Sequence, residues 1–298
     1  MKHLTQHVIR RLALGLLMLG GSLGLSAQIP VEMTREFWRD PGFVDRFLGT
    51  YATLATSEPR INEEERPILG ELSTLIQDDP AAAIQLLNET INGSSSATIL
   101  FVRGNLYFQS NQLELAAADY TAAIQRFPEF RRAHQNLGLI ELQNQNFSKA
   151  VKSLGRAIEL GESAGRTYGL MGYSYLNLED YIAAENAYRQ ALMLDPENVD
   201  WTLGLSQALM ALEQYAAAGA LMEGMLHENP DSLDYWLFLV NVNINLERPG
   251  KAAEILEILR LRGQATTENL ELLGNIYLNQ EDFDLALEVY QDMLSNSE

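Results

Sequence analysis

The chain has 298 residues, no cysteine, 40 acidic and 21 basic residues, and a formal net charge of −19. Without cysteine there is no disulfide, no thiolate nucleophile and no cysteine-ligated metal. So acidic a surface repels phosphate backbones, which speaks against nucleic acid as a partner.

Lys2, Arg10 and Arg11 precede an uncharged apolar run from Leu12 to Leu25, and the small residues Ser26 and Ala27 follow. A positive front, a short apolar stretch and a small-residue end make the pattern of a secretory signal peptide over residues 1–27. The run is shorter than the roughly 20 residues a spanning helix needs. Cleavage is expected after Ser26 or Ala27. The expectation is an exported chain, periplasmic in a Gram-negative bacterium and otherwise secreted, with no membrane span after signal removal.

Residues 28–62 read as a helical lead-in. Asp40-Pro41 looks like a helix start, and Phe43, Phe47, Leu48 and Tyr51 make an apolar stripe at helical spacing. Residues 56–61, with Pro59, read as a loop. Asn62 and Glu65 have the spacing of a capping box and open a helix through Ile68, Leu72 and Ile76. Asp79-Pro80 caps a second helix from Ala81 to Ile91. This pair fills the window 63–96, with Gly70 and Ala82 on marked positions of the frame that follows, and reads as a degenerate unit capping an array.

Six windows of 34 residues follow: 97–130, 131–164, 165–198, 199–232, 233–266 and 267–298, the last two residues short. Position 20 is alanine in all six: Ala116, Ala150, Ala184, Ala218, Ala252 and Ala286. Position 8 is glycine in four, at Gly104, Gly138, Gly172 and Gly274. Position 24 is Tyr120, Leu154, Tyr188, Met222, Leu256 and Tyr290. Pro128, Pro196 and Pro230 stand at position 32. A fixed period of this size means stacked supersecondary units. The pattern predicts two antiparallel helices per unit. Small residues at 8 and 20 let the backbones approach, bulky ones at 17 and 24 fill the space beside them, and proline at 32 ends the second helix.

At these residues the chain resembles the tetratricopeptide repeat family, over about two thirds of its length. The resemblance implies an all-α, right-handed α-solenoid of stacked antiparallel helix pairs. It also implies a scaffold that binds a protein or an extended peptide in a concave groove, and a groove lined by positions 2, 5, 9, 12 and 13 of each first helix. Position 9 is Asn105, Leu139, Tyr173, Gln207, Asn241 and Asn275. Position 13 is Gln109, Gln143, Asn177, Ala211, Asn245 and Asn279. Residues four apart on a helix share a face. A ladder of carboxamides, each donor and acceptor, could pair with a peptide backbone whatever its side chains.

Position 2 runs Thr98, Arg132, Arg166, Asp200, Asp234 and Glu268. The acidic part of a ligand is therefore expected near Arg132 and Arg166. Asn105, Asn136 and Arg166 match three places of a five-residue carboxylate clamp known in the family. Phe101 and Leu170 replace the two other basic residues, so chaperone-tail binding is not expected. Phe101 and Phe108 could supply apolar anchors.

Only His134 and His227 remain beyond the signal stretch, far apart on the frame, and no phosphate loop, zinc-binding His-Glu pair or nucleophile elbow is present. The reading is a non-catalytic scaffold of the cell envelope, with no cofactor and no metal. The alternative is a structural subunit of an envelope transport or biogenesis complex that assembles through its ends. Leu287 and Leu294 on the final helix are candidates for an end-to-end dimer.

Overall fold

The computed structural model describes residues 58–295; the signal stretch and the lead-in up to residue 57 lie outside them. Every regular element among the described residues is helical. A 3-10 turn, Glu63–Glu65, leads into α1 (Arg66–Asp78) and α2 (Pro80–Thr90). Six hairpins follow: α3 (Ala97–Gln109) and α4 (Leu113–Arg126), α5 (Arg131–Gln143) and α6 (Phe147–Glu159), α7 (Gly165–Asn177) and α8 (Tyr181–Leu194). Then come α9 (Val199–Ala211) and α10 (Tyr215–Glu228), α11 (Leu233–Asn245) and α12 (Pro249–Leu261), α13 (Thr267–Asn279) and α14 (Phe283–Ser295). Every first helix begins at position 1 of its window and every second helix at position 17. The chain forms two compact units that divide inside α10, one ending at Leu221 and the other starting at Met222.

In both units the alanine of position 20 is fully or almost fully buried. The glycine of position 8 lies under the residue of position 24. A Cβ on Gly104 would stand 2.8 Å from the Tyr120 ring, on Gly138 2.7 Å from Leu154, on Gly172 2.8 Å from Tyr188 and on Gly274 2.7 Å from Tyr290. No side chain but hydrogen fits there. Tyr188 also reaches the next hairpin, where a Cβ on Gly204 would run into its ring, and Trp201 covers Gly169 in the same way. Position 17 behaves otherwise. As the first residue of the second helix it lies at the edge of the hairpin, so Leu113, Phe147, Tyr181 and Tyr215 are only half-buried and Pro249 and Phe283 are exposed.

The turn between the two helices repeats. Asn111, Gln145, Glu179, Glu213, Glu247 and Glu281, all at position 15, adopt φ between 57° and 66°. The next residue's N–H donates back to the carbonyl of position 11, as in Gln112 to Tyr107 at 2.8 Å and Asp180 to Tyr175 at 3.0 Å. This is the Schellman closure of a helix. Asparagine and glycine favour such a left-handed residue, yet five of the six here are Gln or Glu, so the turn left no mark in the sequence. Second helices end in two ways. Three stop at the prolines of position 32; two stop at Gly161 (φ 95°) and Gly263 (φ 67°), with Glu162 donating to Ala157 and Gln264 to Leu259, each at 2.9 Å.

In the cap, Glu65 accepts from the Asn62 N–H at 3.4 Å. Its carboxylate also accepts from the Ser96 N–H at 2.7 Å and from the Ser96 hydroxyl. Ser96 in turn caps α3 through the Ile99 N–H at 3.3 Å. One buried carboxylate thus locks the cap onto the first hairpin. Gly70 is exposed with nothing near it, and Ala83 rather than Ala82 is buried, so the small-residue contact of the repeats is not reproduced here.

Ala184→Leu, which adds bulk where no space exists, is expected to cost about 1–3 kcal/mol in urea unfolding. The same change at exposed Ala118 is expected to stay within about 0.5 kcal/mol.

Candidate functional site

The first helices of the earlier unit present positions 2, 9 and 13, and the structure places them in three different situations. Asn105 is only 4% exposed. Its Oδ1 accepts from the Tyr120 hydroxyl at 2.7 Å and from the Asn136 amide at 3.0 Å. Two of the three residues matching the clamp are therefore spent on each other inside a seam. Phe101 is buried between Tyr120 and Phe130, with ring centroids 5.5 and 4.7 Å apart. It packs the core, while Phe108 stays half-buried.

Arg132 is already paired. Its guanidinium donates to both carboxylate oxygens of Glu58, at 2.9 and 2.8 Å, and lies 5.4 Å above the Phe101 ring. Glu58 is buried. Beside it, the buried Thr98 hydroxyl donates to the Pro59 carbonyl at 3.2 Å. The described end of the lead-in is thus bonded to position 2 of the first hairpin and position 2 of the second.

Arg166 is the next position 2. It is half-buried and has no ion pair or hydrogen bond among the described residues, and burial pulls its pKa down. Burying a charge without a counter-charge is costly, so this guanidinium is poised for an anion. Position 2 of the following hairpin, Asp200, is pushed above the usual carboxylate range by burial. Between these helices the hydroxyl of Tyr188 and the indole N–H of Trp201 are buried without hydrogen-bond partners among the described residues, their rings 6.3 Å apart. The cause is at position 9. Asn105 serves Tyr120 there and Asn275 serves Tyr290 at 3.0 Å, but the third hairpin carries Tyr173, which packs edge-on against Phe147 at 5.9 Å.

The rest of the carboxamide ladder is largely self-satisfied. Asn177 donates to the Tyr173 carbonyl at 2.8 Å. Asn245 donates to the carbonyl and the side chain of Asn241, both at 2.8 Å. Gln207 is half-buried and engaged. Gln109 is half-buried, and Gln143 and Asn279 are exposed.

The later unit carries a different cluster. Arg260 binds Glu257, Glu288 and Asp292; burial alone would lower its pKa, and the three carboxylates more than reverse that. Tyr277 donates to Glu257 at 3.0 Å. These bonds tie α12 to α13 and α14. Among the described residues no group of His, Asp and Glu is placed to hold a metal ion. His134 Nε2 lies 2.9 Å from the Pro128 carbonyl, and burial lowers its pKa, as suits a packing residue.

Comparison with known proteins covers most of the array. A profile described as tetratricopeptide repeat matches residues 101–165 and 170–233, and two more of the same description match 209–276 and 270–297. Among solved structures, a tetratricopeptide repeat protein from Parabacteroides merdae shares 15% identity at a TM-score of 0.51, over 78% of this chain and 93% of that one. YrrB, described as a tetratricopeptide repeat protein with an unusual peptide-binding site, shares 19% at 0.53, over 72% and 98%. At these identities the likeness concerns the fold.

Two curated relatives match shorter stretches. The Hsp70-Hsp90 organising protein of Plasmodium falciparum is 28% identical over 101 residues, 32% of this chain and 18% of that protein. Superkiller protein 3 of Schizosaccharomyces pombe is 30% identical over 78 residues, 26% of this chain and 6% of that protein. The chain therefore spans under a fifth of the length of either.

Tyr120→Phe is expected to cost about 0.5–1.5 kcal/mol, because it removes a satisfied bond, whereas Tyr188→Phe removes an orphan and is expected to be neutral or stabilising by about 1 kcal/mol. Urea midpoints of the two variants check the contrast. A second expectation concerns alkali. Burial, then the bond to Glu257, push Tyr277 from 10.0 up to about 12. The folded chain thus holds this proton more tightly than the unfolded one. Its contribution is complete below pH 10 and is lost as pH rises through about 12. Tyr277→Phe should flatten that part of the stability–pH curve.

Proposed function

We propose that this chain, which belongs to the tetratricopeptide repeat family, is a non-catalytic scaffold that binds a protein or extended peptide on the face of its first helices. The observation that carries the reading is Arg166, a partly desolvated guanidinium with no counter-charge among the described residues, on a position that the family resemblance assigns to the ligand groove. A ligand carboxylate there would form a charge-assisted, bidentate pair and offset a desolvation that no counter-charge among the described residues offsets. YrrB's described peptide-binding site and the Hsp70 and Hsp90 in the name of the Plasmodium relative support the same class of partner.

The reading includes export to the cell envelope, supported by the basic front and short apolar run of residues 1–27. No helix among the described residues is long and apolar enough to cross a membrane. While Glu58 occupies Arg132, the ligand's acidic part is assigned to Arg166.

The test is capture of partners by the chain purified from its native envelope fraction, whose intact mass also reports cleavage after Ser26 or Ala27. Arg166→Glu is expected to weaken the captured partner's affinity by about 2–5 kcal/mol, roughly 30-fold or more. A structural subunit, the alternative, would keep its partner through that change. It would lose the partner on replacement of Leu287 and Leu294, 58% and 67% exposed, by Glu.

A further inference from the structure

We infer that the Glu58-Pro59 segment is a built-in occupant of the first-helix face, and that the site beneath it accepts, in its place, an extended protein segment carrying Glu followed by Pro. The inference rests on the scaffold reading and adds the chemistry of the ligand and a competitor within the chain.

The receiving site is built from buried parts. The Arg132 guanidinium meets both oxygens of the Glu58 carboxylate. The Phe101 ring lies beneath the guanidinium. The fully buried Thr98 takes up the Pro59 carbonyl. Together they read one acidic side chain and the backbone carbonyl of the next residue. Such features select a short motif: a fork-shaped donor favours a carboxylate over a neutral side chain, and proline holds its own φ near −65°, limiting what the segment loses on docking.

The bonds span 74 and 39 residues of sequence, and the segment joins the cap without being part of any helix. It is held by its side chain and one carbonyl, as a bound peptide would be. Attachment to the same chain gives such a segment an effective concentration on the order of millimolar. An outside segment of the same chemistry must therefore compete, and its apparent affinity is reduced by the fraction of time the face is open.

The probe is a fluorescent synthetic peptide copying residues 54–61, titrated by anisotropy against the full chain. Weak binding to wild type is expected, with binding at least about tenfold tighter to Glu58→Gln, which removes the inner carboxylate and leaves Arg132, Phe101 and Thr98 in place. The peptide carrying Glu58→Gln itself should not bind either protein. If circular dichroism shows that Glu58→Gln does not fold, Pro59→Gly serves instead; it loosens the attached segment without touching the receiving site and should give a smaller gain of a few-fold. Equal binding to wild type and variant, or none to a folded variant, overturns the inference. It does so even where partner capture through Arg166 holds. Conversely, a gain with the peptide sustains it even where that capture fails.

Discussion

The spacing of the two helices in four of the six hairpins depends on a ring or branched side chain resting directly on a glycine. Glycine inside a helix costs roughly 0.5–1 kcal/mol relative to alanine. The array carries that cost at Gly104, Gly138, Gly172 and Gly274 because any Cβ would strike position 24. Position 20 completes the seam with a methyl group that has no room to grow. At Tyr188 the same device extends to the next hairpin, with Gly172 on one side and Gly204 on the other. A solenoid grows by such nearest-neighbour contacts, so each small residue determines both the hairpin and what stacks on it.

That contact has a polar consequence. A tyrosine placed over glycine carries its hydroxyl to a buried spot that must be satisfied. Asn105 and Asn275 do this from position 9, which removes them from the ligand face. Tyr173 does not do so, and the Tyr188 hydroxyl is left without a hydrogen-bond partner among the described residues. What resembled a row of amides for a peptide backbone is therefore partly internal plumbing of the seams. Several of its other members, Asn177, Asn241 and Asn245, bond to their own helices.

Charge then narrows the face further. Acids outnumber bases 40 to 21, so an arginine readily finds a carboxylate. Arg103 is bidentate on Asp119, Arg132 on Glu58, and Arg260 gathers three acids. Arg166 combines desolvation with the lack of a counter-charge among the described residues, on the position of the frame that Arg132 also holds. The informative feature is a cation left without a counter-charge among the described residues.

The period, the alanines and the glycines were legible in the sequence because packing forces the same small side chain at the same place in each turn of the array. The all-helical architecture of the array and its two antiparallel helices per unit follow from that repetition. The prolines of position 32 announced three helix ends, while Gly161 and Gly263 did the same work by left-handed geometry. The turn at position 15 was silent, since Gln and Glu there adopt a conformation their side chains do not advertise. Which polar residues are free was decided by tertiary structure alone. Asn105, at position 9 of the first hairpin, is sealed under Asn136 and Tyr120, while Asn279, at position 13 of the last, is exposed. Arg132 and Arg166 hold the same position of the frame, yet only Arg132 meets Glu58, 74 residues away. A repeat specifies contacts between neighbours; it carries no record of a segment outside the frame folding back upon it.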